Sequence, residues 1–562
     1  MSTAAGAGIG DKRLGSKNAA LLLIFALALF LPGFFSLPPF DRDEARFVQA
    51  SKQMVESGDY LDIRFQDEAR HKKPIGIYWL QAAALKLSGQ DAAAPLWVYR
   101  LVSLSGALLA VLGTGLLGAR LFGAAAGLAA GLGLAASLLL GVEARLAKTD
   151  AMLLATIVAM QAGLAVIYLK HRAPVALPAS WLPALVFWLA LGAGTLIKGP
   201  VAPAVAGLTI LCLSLADRDW RWLLRLKPLA GLPLAAAIVL PWFVAITLQS
   251  DGGFLQESFG KDIFAKIFEG QESHGALPGY YLALFWAISW PFGPAILLAF
   301  LFAWRERKQP VQRFLLAWIL PTWLVFELIM TKLPHYLLPV FPALFILFGW
   351  SFARLKDRAL PVARQAALLR FGQGLFVLVG LLLALGAPFA IGEGGGDWVW
   401  WGPLLAGVGL VLWGALSPGR LREDPRRLRA ALAGAFLVYF ASYQGILPSM
   451  QRIWLAPRIA EAFQEAAPCP GSRLVSSGFR EPSLVFLAGT ETLLSSAGGA
   501  AQLLLEDRRC RLALVDESGE AAFRGALGEA AGDLKPLAEI EGFNYSGGDP
   551  LRLTLYGIAD GE

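Results

Sequence analysis

Apolar runs of about 20 residues recur along this chain of 562 residues, and they constrain its fold more than any other feature. A helix of about 20 apolar residues crosses the roughly 30 Å hydrocarbon layer of a membrane. Hydrophobic residues make up 56% of the chain and charged residues only 16%, whereas a soluble domain has about 25% charged residues. A soluble helical core of this length does not accommodate that apolar excess. The sequence therefore predicts a polytopic, all-α membrane protein.

The apolar runs predict about thirteen spanning helices. Their starts fall near residues 19, 96, 122, 149, 181, 200, 230, 279, 314, 335, 371, 398 and 430. The first run follows a basic stretch and has no small-residue cleavage site after it, so we expect it to stay in the protein. With the N-terminus inside, Arg and Lys cluster in every long cytoplasmic turn, as the positive-inside rule requires. This distribution is typical of membrane loops and not of a nucleic-acid-binding face.

In this orientation, two long segments lie on the outer side, at about 37–95 and 249–278. The first contains a stretch with helical spacing at 43–58 and a second amphipathic stretch at 73–87, which Pro74 opens. We expect both to be helices that lie along the membrane surface.

The C-terminal part of the chain has a different composition. Residues 1–450 are expected to form the transmembrane domain, and residues 451–562, which alternate short strand-like and helical segments, a small periplasmic α/β domain. Cys469 and Cys510 lie in this second part. A disulfide between them requires an oxidising compartment, and the sequence does not supply the geometry.

Charged residues gather at the outer ends of the spans, where ionisable groups usually mark a functional cavity. They are Asp43, Glu44, Arg46, Arg70, His71, Lys72, Lys73, Glu143, Arg145, Lys148, Asp150, Lys198, Lys261, Lys266, Lys332 and His335. Cations on the side that the positive-inside rule disfavours predict a bound anion, and a phosphate at the interface is the obvious one. Any one of them could equally contact a lipid headgroup or pair with Asp or Glu. Their convergence from several loops favours the phosphate site.

Asp43 and Glu44 begin the first outer helix. Adjacent carboxylates point to different faces of a helix, so we do not expect them to share one role. Arg46 lies on the face of Asp43 and could hold it ionised. A carboxylate here can stabilise positive charge on a sugar, orient an acceptor or accept a hydroxyl proton. An ordinary helix start, where acidic residues favour the macrodipole, explains the pair equally well.

Further polar residues stand at breaks in the spans. Residues 331–339 place Lys332, His335 and Tyr336 close to two prolines, where freed backbone groups and polar side chains face a cavity. Lys198 precedes a Gly-Pro break at membrane depth, and His274 lies where the second outer segment returns to the membrane. His274 alone is not a metal site, and the aromatic residues after it are equally explained by the interfacial aromatic belt.

Taken in order, these segments resemble the GT-C membrane glycosyltransferases. The closest resemblance is to the family of the lipid A 4-amino-4-deoxy-L-arabinose transferase, which is related to the protein O-mannosyltransferases. The matching segments are Asp-Glu-Ala-Arg at 43–46, Ser-Gly-Asp-Tyr at 57–60, Lys-Pro-Ile-Gly-Ile-Tyr-Trp at 73–79, Asp-Ala-Met-Leu-Leu-Ala at 150–155, Lys-Gly-Pro at 198–200, Pro-Trp-Phe at 241–243 and Lys-Leu-Pro-His-Tyr-Leu-Leu-Pro at 332–339. The resemblance implies a bacterial inner-membrane enzyme that takes a sugar from a polyprenyl-phosphate carrier, such as undecaprenyl phosphate, at the periplasmic face.

The resemblance also implies roles for individual residues. Asp43 matches the family's catalytic aspartate, and Asp150 matches an acidic residue of the second outer loop; with Glu44 they are the catalytic candidates. The candidates for binding the donor phosphate are Arg46, Lys72, Lys73, Lys266 and Tyr336. Further site candidates are Tyr78, Lys198, His274, Lys332 and His335.

Lys72 departs from the family pattern, which has a glutamate associated with a bound metal at this position. A cation there repels a metal ion and adds to phosphate attraction, so we expect no metal and no other cofactor. Two adjacent lysines also disfavour an amino sugar, which carries its own positive charge.

The expected reaction is a direct, inverting transfer of one sugar to lipid A, the lipopolysaccharide core or another envelope glycolipid. A protein O-mannosyltransferase-like enzyme with a polypeptide hydroxyl acceptor is the nearest alternative. A lipid flippase or transporter is the non-enzymatic alternative, although transporters commonly have paired repeats with sites at the membrane midplane. The sequence identifies neither the sugar nor the acceptor.

Overall fold

The computed structural model describes residues 13–173, 181–256, 275–354, 363–417, 420–421 and 424–558. Helices dominate this part of the chain. The α-helices are Ser16–Phe30, Asp43–Ser57, Gly76–Leu87, Leu96–Phe122, Ala124–Ala135, Leu138–Glu143, Asp150–His171, Trp181–Lys198, Val201–Asp217, Pro228–Gln249, Gly253–Leu255, Tyr280–Ile288, Gly293–Arg305, Pro310–Leu328, Phe341–Arg354, Ala363–Gly394, Trp401–Ala415, Pro425–Tyr439, Leu447–Ser449, Leu455–Ala466, Pro482–Ala488, Ala497–Glu506 and Glu520–Leu527. Short 3-10 turns and one π-helical segment, Phe440–Ile446, connect some of them.

Within the described ranges, nine helical segments are long and apolar enough to cross a membrane. They are Leu96–Phe122, Asp150–His171, Trp181–Lys198, Pro228–Gln249, Pro310–Leu328, Pro334–Arg354, Ala366–Gly394, Trp398–Ala415 and Pro425–Ser449. Four shorter apolar helices accompany them, at Ser16–Phe30, Ala124–Ala135, Val201–Asp217 and Gly293–Arg305. The chain is thus a multi-span, mostly helical membrane protein, as the sequence predicts. The number thirteen stays a prediction, because the four short helices do not meet the length of a full span.

A proline and a glycine set the helix limits in two of the predicted spans. The run that begins near residue 279 is divided into Tyr280–Ile288 and Gly293–Arg305, with Pro291 between them. Proline lacks a backbone N–H and clashes with the preceding turn, so it ends a helix here. The run near residue 122 starts after Gly123, whose φ of 98° suits only glycine.

The first outer segment folds as two helices joined by a small hairpin. Asp43–Ser57 buries the predicted apolar stripe and ends at Gly58 in the left-handed conformation, a common helix C-cap. The second helix is Gly76–Leu87, and between the two lie antiparallel strands β1 (Arg64–Phe65) and β2 (Glu68–Ala69). Both helices bury apolar side chains against the spans, which leaves the start of Asp43–Ser57 beside the span ends.

The C-terminal residues form a five-stranded sheet with helices on both faces. The strands are β3 (Arg473–Ser476), β4 (Leu493–Leu494), β5 (Arg511–Asp516), β6 (Leu534–Asn544) and β7 (Asp549–Ile558). Their order is β4-β3-β5-β7-β6; β4, β3 and β5 run parallel, while β7 pairs antiparallel with β5 and β6. A disulfide joins Cys469 to Cys510. The position of this unit on the periplasmic side stays a prediction.

The C-terminal unit packs directly on the first outer helix. The ring of Phe486 lies 5.7 Å from that of Tyr99 and shares an apolar cluster with Val48. Gln49 donates to the hydroxyl of Thr490 at 2.9 Å, which adds a polar contact. The helix that begins at Asp43 is therefore held between the spans on one side and the sheet unit on the other.

Candidate functional site

A cavity of about 790 Å³ lies where the first outer helix meets the ends of several spans. Its charged lining consists of Asp41, Arg42, Asp43, Glu44, Arg46, Arg70, Lys72, Lys73, Glu143, Lys148, Asp150, Lys198 and His335. Lys and Arg outnumber Asp and Glu in this set, so the cavity attracts anions. The structure thus brings together side chains from segments that are far apart in the sequence.

Asp43 is the first residue of helix Asp43–Ser57, and its side chain is exposed to the cavity. The surrounding protein desolvates the carboxyl and raises its pKa, but nearby basic side chains lower the pKa by more. These side chains are Lys148, His335, Arg70 and Lys73. The net effect holds Asp43 as a carboxylate. The sequence predicted this role for Arg46, but the four largest favourable contributions come from other residues.

Glu44 is buried and fully engaged in structural contacts. Its two carboxylate oxygens accept hydrogen bonds from Nε and Nη2 of Arg100 at 2.8 and 2.9 Å. The backbone N–H groups of Phe40 and Ala147 donate to the same oxygens at 3.0 and 2.8 Å. The side chains of Glu44 and Arg100 are 0% and 1% exposed. These contacts assign Glu44 to the scaffold that positions the start of the helix, in place of the catalytic role that the sequence predicted.

Asp150 lies at the start of a span and is paired with cationic side chains. Its Oδ1 accepts a hydrogen bond from Nζ of Lys198 at 2.5 Å and lies 4.0 Å from Nε2 of His335. The hydroxyl of Thr149 donates to its other oxygen at 3.3 Å. Three of the predicted site residues are therefore in contact at the cavity wall.

Glu143 and Lys148 form a second ion pair beside this group. Nζ of Lys148 donates to Oε1 of Glu143 at 3.1 Å, and Nδ1 of His335 lies 3.8 Å from the same oxygen. Both residues belong to the charged set predicted from the sequence, which gave neither a specific role. The sequence indicated a functional site here because two charged residues stand in a strongly apolar stretch.

The candidates for binding the donor phosphate divide into two groups. Arg46, Lys72, Lys73 and Tyr336 all line the cavity, and Nζ of Lys198 lies 5.6 Å from the ring centroid of Tyr336. Lys266, the fifth of these candidates, falls outside the described residues, as do Lys261 and His274 from the other predicted site residues. The described cations come from the first outer segment and the end of Trp181–Lys198, so they can face one anion from two sides.

Two other predicted site residues lie behind the cavity wall. Tyr78 is buried against Phe47, with 5.6 Å between ring centroids, and its hydroxyl lies next to Arg70. Lys332 is also buried, and it donates to backbone carbonyls at the end of helix Pro310–Leu328, including that of Glu327 at 2.8 Å. A lysine in this position stabilises a helix C-terminus. Neither residue is part of the cavity lining.

The C-terminal unit contributes cavity residues that the sequence did not reveal. Tyr545 and Ser546, in the turn between β6 and β7, line the cavity. The hydroxyl of Tyr545 accepts a hydrogen bond from the backbone N–H of Asp41 at 2.8 Å, and the Asp41 carboxylate accepts two from Ser483. Arg42 is paired with Glu481 at 3.1 Å. These contacts link Asp41 to residues more than 400 positions away, and no local pattern in the sequence indicates them.

The residues at position 72 and around it do not fit a metal ion. Lys72 is exposed at the cavity wall and places an ammonium where the family resemblance implies a glutamate. Among the residues that the structure describes, no three His, Cys, Asp or Glu side chains come together as a set of metal ligands. The absence of a metal requirement stays a prediction, and we derive no catalytic step from a metal.

Known membrane glycosyltransferases are similar to this chain in sequence. Residues 72–244 match the family model described as dolichyl-phosphate-mannose-protein mannosyltransferase. The undecaprenyl phosphate-alpha-4-amino-4-deoxy-L-arabinose arabinosyl transferase of Edwardsiella ictaluri is 28% identical, over 93% of this chain and 90% of the relative.

Solved structures show the same fold. ArnT from Cupriavidus metallidurans in the apo state superposes with a TM-score of 0.74 at 20% identity, covering 97% of this chain and 100% of that one. The structure of the same protein bound to undecaprenyl phosphate also has a TM-score of 0.74, at 19% identity, with 97% and 99% covered. Together with the sequence matches, this confirms the resemblance: the chain is a membrane glycosyltransferase with the fold of ArnT, and it is similar along most of its length to the 4-amino-4-deoxy-L-arabinose transferases.

Proposed function

We propose that this protein is an inverting glycosyltransferase that uses a sugar linked to undecaprenyl phosphate and transfers that sugar to lipid A or a related envelope glycolipid. The observation that carries the proposal is the position of Asp43, a carboxylate exposed in a cavity whose other charged residues are mostly cations. The names of the similar transferases support undecaprenyl phosphate as the carrier and an aminoarabinose-type pentose as the sugar.

The carrier phosphate binds the cations at the cavity wall. Arg46, Lys72 and Lys73 come from the first outer segment, and Lys198 and Tyr336 approach from the span ends. Charge-assisted hydrogen bonds from such donors are the strong ones for phosphate. They stabilise the transition state because negative charge grows on the phosphate as its bond to the sugar breaks.

The reaction is a single displacement. An acceptor oxygen attacks the anomeric carbon, the bond from that carbon to the phosphate oxygen breaks, and undecaprenyl phosphate leaves with the bonding electrons. If the acceptor is a phosphate group of lipid A, it attacks as an anion and no proton has to be removed. Asp43 then orients the acceptor and stabilises positive charge on the sugar. If the acceptor is a hydroxyl group, Asp43 takes its proton.

The site and the C-terminal unit face the periplasm in this proposal. The Arg- and Lys-rich turns support a cytoplasmic location for the opposite ends of the spans. The disulfide between Cys469 and Cys510 supports an oxidising compartment for the C-terminal unit.

A polypeptide hydroxyl is the second candidate acceptor, because residues 72–244 match a protein mannosyltransferase model. One assay separates the two. The purified protein in lipid vesicles receives a radiolabelled undecaprenyl-phosphate sugar together with lipid A or with a Ser/Thr-rich peptide. We expect label in lipid A and none in the peptide; label in the peptide alone would overturn the proposed acceptor.

Lys73→Ala tests the phosphate site in the same assay. We expect it to raise the Michaelis constant for the donor about 10- to 100-fold, the loss typical of a charge-assisted hydrogen bond. Lys535→Ala is the matched control, since Lys535 is exposed on β6 away from the cavity. Unchanged donor kinetics in Lys73→Ala would contradict the assignment.

A further inference from the structure

Glu143 has one carboxylate oxygen with no hydrogen-bond partner among the described residues. Its Oε1 binds Lys148, whereas its Oε2 is buried and accepts no hydrogen bond within the described part of the chain. The residue is 3% exposed and lines the cavity. Buried polar atoms are almost always hydrogen-bonded, and an exception in a cavity wall calls for an explanation.

Leaving such an atom unsatisfied is costly. An unpaired buried acceptor costs about 1–3 kcal/mol, and more if it is charged. A hydrogen-bond donor that enters the cavity would remove this cost. The terminal torsion of a glutamate is soft, so the carboxylate can turn toward such a donor without leaving its rotamer. The unsatisfied acceptor therefore favours a ligand that carries a donor group at this position.

The charges around Glu143 indicate which part of the substrate comes here. A carboxylate repels phosphate groups, so neither the carrier phosphate nor a phosphate of the acceptor is favoured beside it. The carboxylate of Asp150 lies on the other side of His335, whose ring nitrogens are 3.8 Å from Glu143 Oε1 and 4.0 Å from Asp150 Oδ1. Glu143 and Asp150 thus place two carboxylates, each paired with one lysine, on one wall of a mostly basic cavity.

We propose that Glu143 recognises the sugar: its Oε2 accepts a hydrogen bond from a hydroxyl or ammonium substituent of the sugar that is bound beside Asp43. The inference rests on the proposed function, because it takes the sugar of the donor as the ligand. An amino sugar is then compatible with Lys72 and Lys73, because the two lysines bind the phosphate while the carboxylate of Glu143 accepts the hydrogen bond from the sugar.

The test compares three lipids with the full-length protein. They are undecaprenyl phosphate without a sugar, undecaprenyl phosphate carrying neutral arabinose, and undecaprenyl phosphate carrying 4-amino-4-deoxy-arabinose. Dissociation constants are measured for the wild type, Glu143→Gln and Glu143→Ala. Glu461→Gln is the matched control, because Glu461 is exposed on the helix Leu455–Ala466 of the C-terminal unit.

We expect Glu143→Ala to weaken binding of at least one sugar-linked lipid about 10- to 100-fold and to leave the bare carrier within about threefold of the wild type. Glu143→Gln keeps the shape and an acceptor oxygen but loses the charge. A loss in Glu143→Gln confined to the amino sugar identifies the ammonium as the donor group. A loss in Glu143→Ala for both sugars, with Glu143→Gln close to the wild type, identifies a hydroxyl.

Two results would overturn the inference: equal weakening of all three lipids in both variants, or unchanged binding of all three. Glu143→Gln has the same volume as the wild type, so it keeps the comparison informative if Glu143→Ala unfolds. Failure of the proposed function is distinguishable. A wild type that binds the sugar-linked lipids through Glu143 but transfers no sugar leaves the inference standing and removes the proposed reaction.

Discussion

The carboxylate of Glu44 and the guanidinium of Arg100 form a buried, two-contact ion pair, with N–O distances of 2.8 and 2.9 Å. Glu44 lies next to Asp43 in the sequence, and Arg100 lies in the span Leu96–Phe122. Arg100 also donates to the backbone carbonyls of Phe34, Leu37 and Pro38. This pair therefore fixes the start of the first outer helix to the membrane domain.

Arg100→Leu should destabilise the protein strongly. It leaves the carboxylate of Glu44 buried without a counter-ion, which typically costs about 3–5 kcal/mol. Thermal unfolding in detergent measures the effect, with Arg508→Leu as the control because Arg508 is exposed in the C-terminal unit. Equal unfolding temperatures for the two variants would show that the pair does not hold the helix.

Asp43 and Glu44 have different roles in the structure, and they show what could be predicted from the sequence. Apolar runs and helical spacing are local properties, so they predicted the spans and both outer helices. They also predicted that adjacent carboxylates would differ in role. Which of the two is structural depends on Arg100, 56 residues away, and no local pattern contains that pairing.

Contacts between residues far apart in the sequence also decided the outcome of other predictions. The charged set predicted a cavity because buried charges need a common explanation, and most of its described members line one. Lys332 was included for the same reason, but it instead binds the carbonyls of a helix end. Tyr545 was missed because its contact with Asp41 joins residues 504 positions apart.

Ser483→Ala should reduce turnover without weakening binding of undecaprenyl phosphate. The Ser483 hydroxyl donates to Asp41 at 2.8 Å, two residues before Asp43, and its loss lets the start of the helix shift. We expect the turnover number to fall about 10-fold, since an ångström-scale displacement of a reacting group can cost up to 100-fold. The control is Ser518→Ala, an exposed serine of the same unit. A larger change in donor binding than in turnover would argue against a positioning role.

Asp41 should make stability depend on pH. Burial raises the pKa of Asp41 to about 6 from 3.8, although hydrogen bonds from Ser483 and the charge of Arg42 oppose the shift. The folded state therefore binds more protons than the unfolded state between these pH values, so this contribution to stability falls as the pH rises through that window. Relative to Asp41→Asn, whose side chain does not titrate, the unfolding temperature of the wild type should fall from about pH 4 to about pH 6. A wild-type unfolding temperature that stays constant or rises relative to the variant over this range would contradict the assignment.

Treatment with a chelator should leave turnover unchanged. Lys72 stands where the family resemblance implies a metal-associated glutamate, and an ammonium there repels a divalent cation. The measurement compares initial rates before and after incubation with EDTA and after addition of zinc or magnesium. Loss of activity that one of these metals restores would show that other residues hold a metal ion.

The central claim is that Asp43 acts on a lipid-linked sugar in this cavity, and single-turnover transfer from a radiolabelled undecaprenyl-phosphate sugar to lipid A tests it most directly. Asp43→Asn is compared with Asp67→Asn, an exposed aspartate of the same outer segment that does not line the cavity. We expect Asp43→Asn to lower the rate at least about 100-fold, with unchanged unfolding temperature, and Asp67→Asn to match the wild type. A wild-type rate in Asp43→Asn would contradict the account.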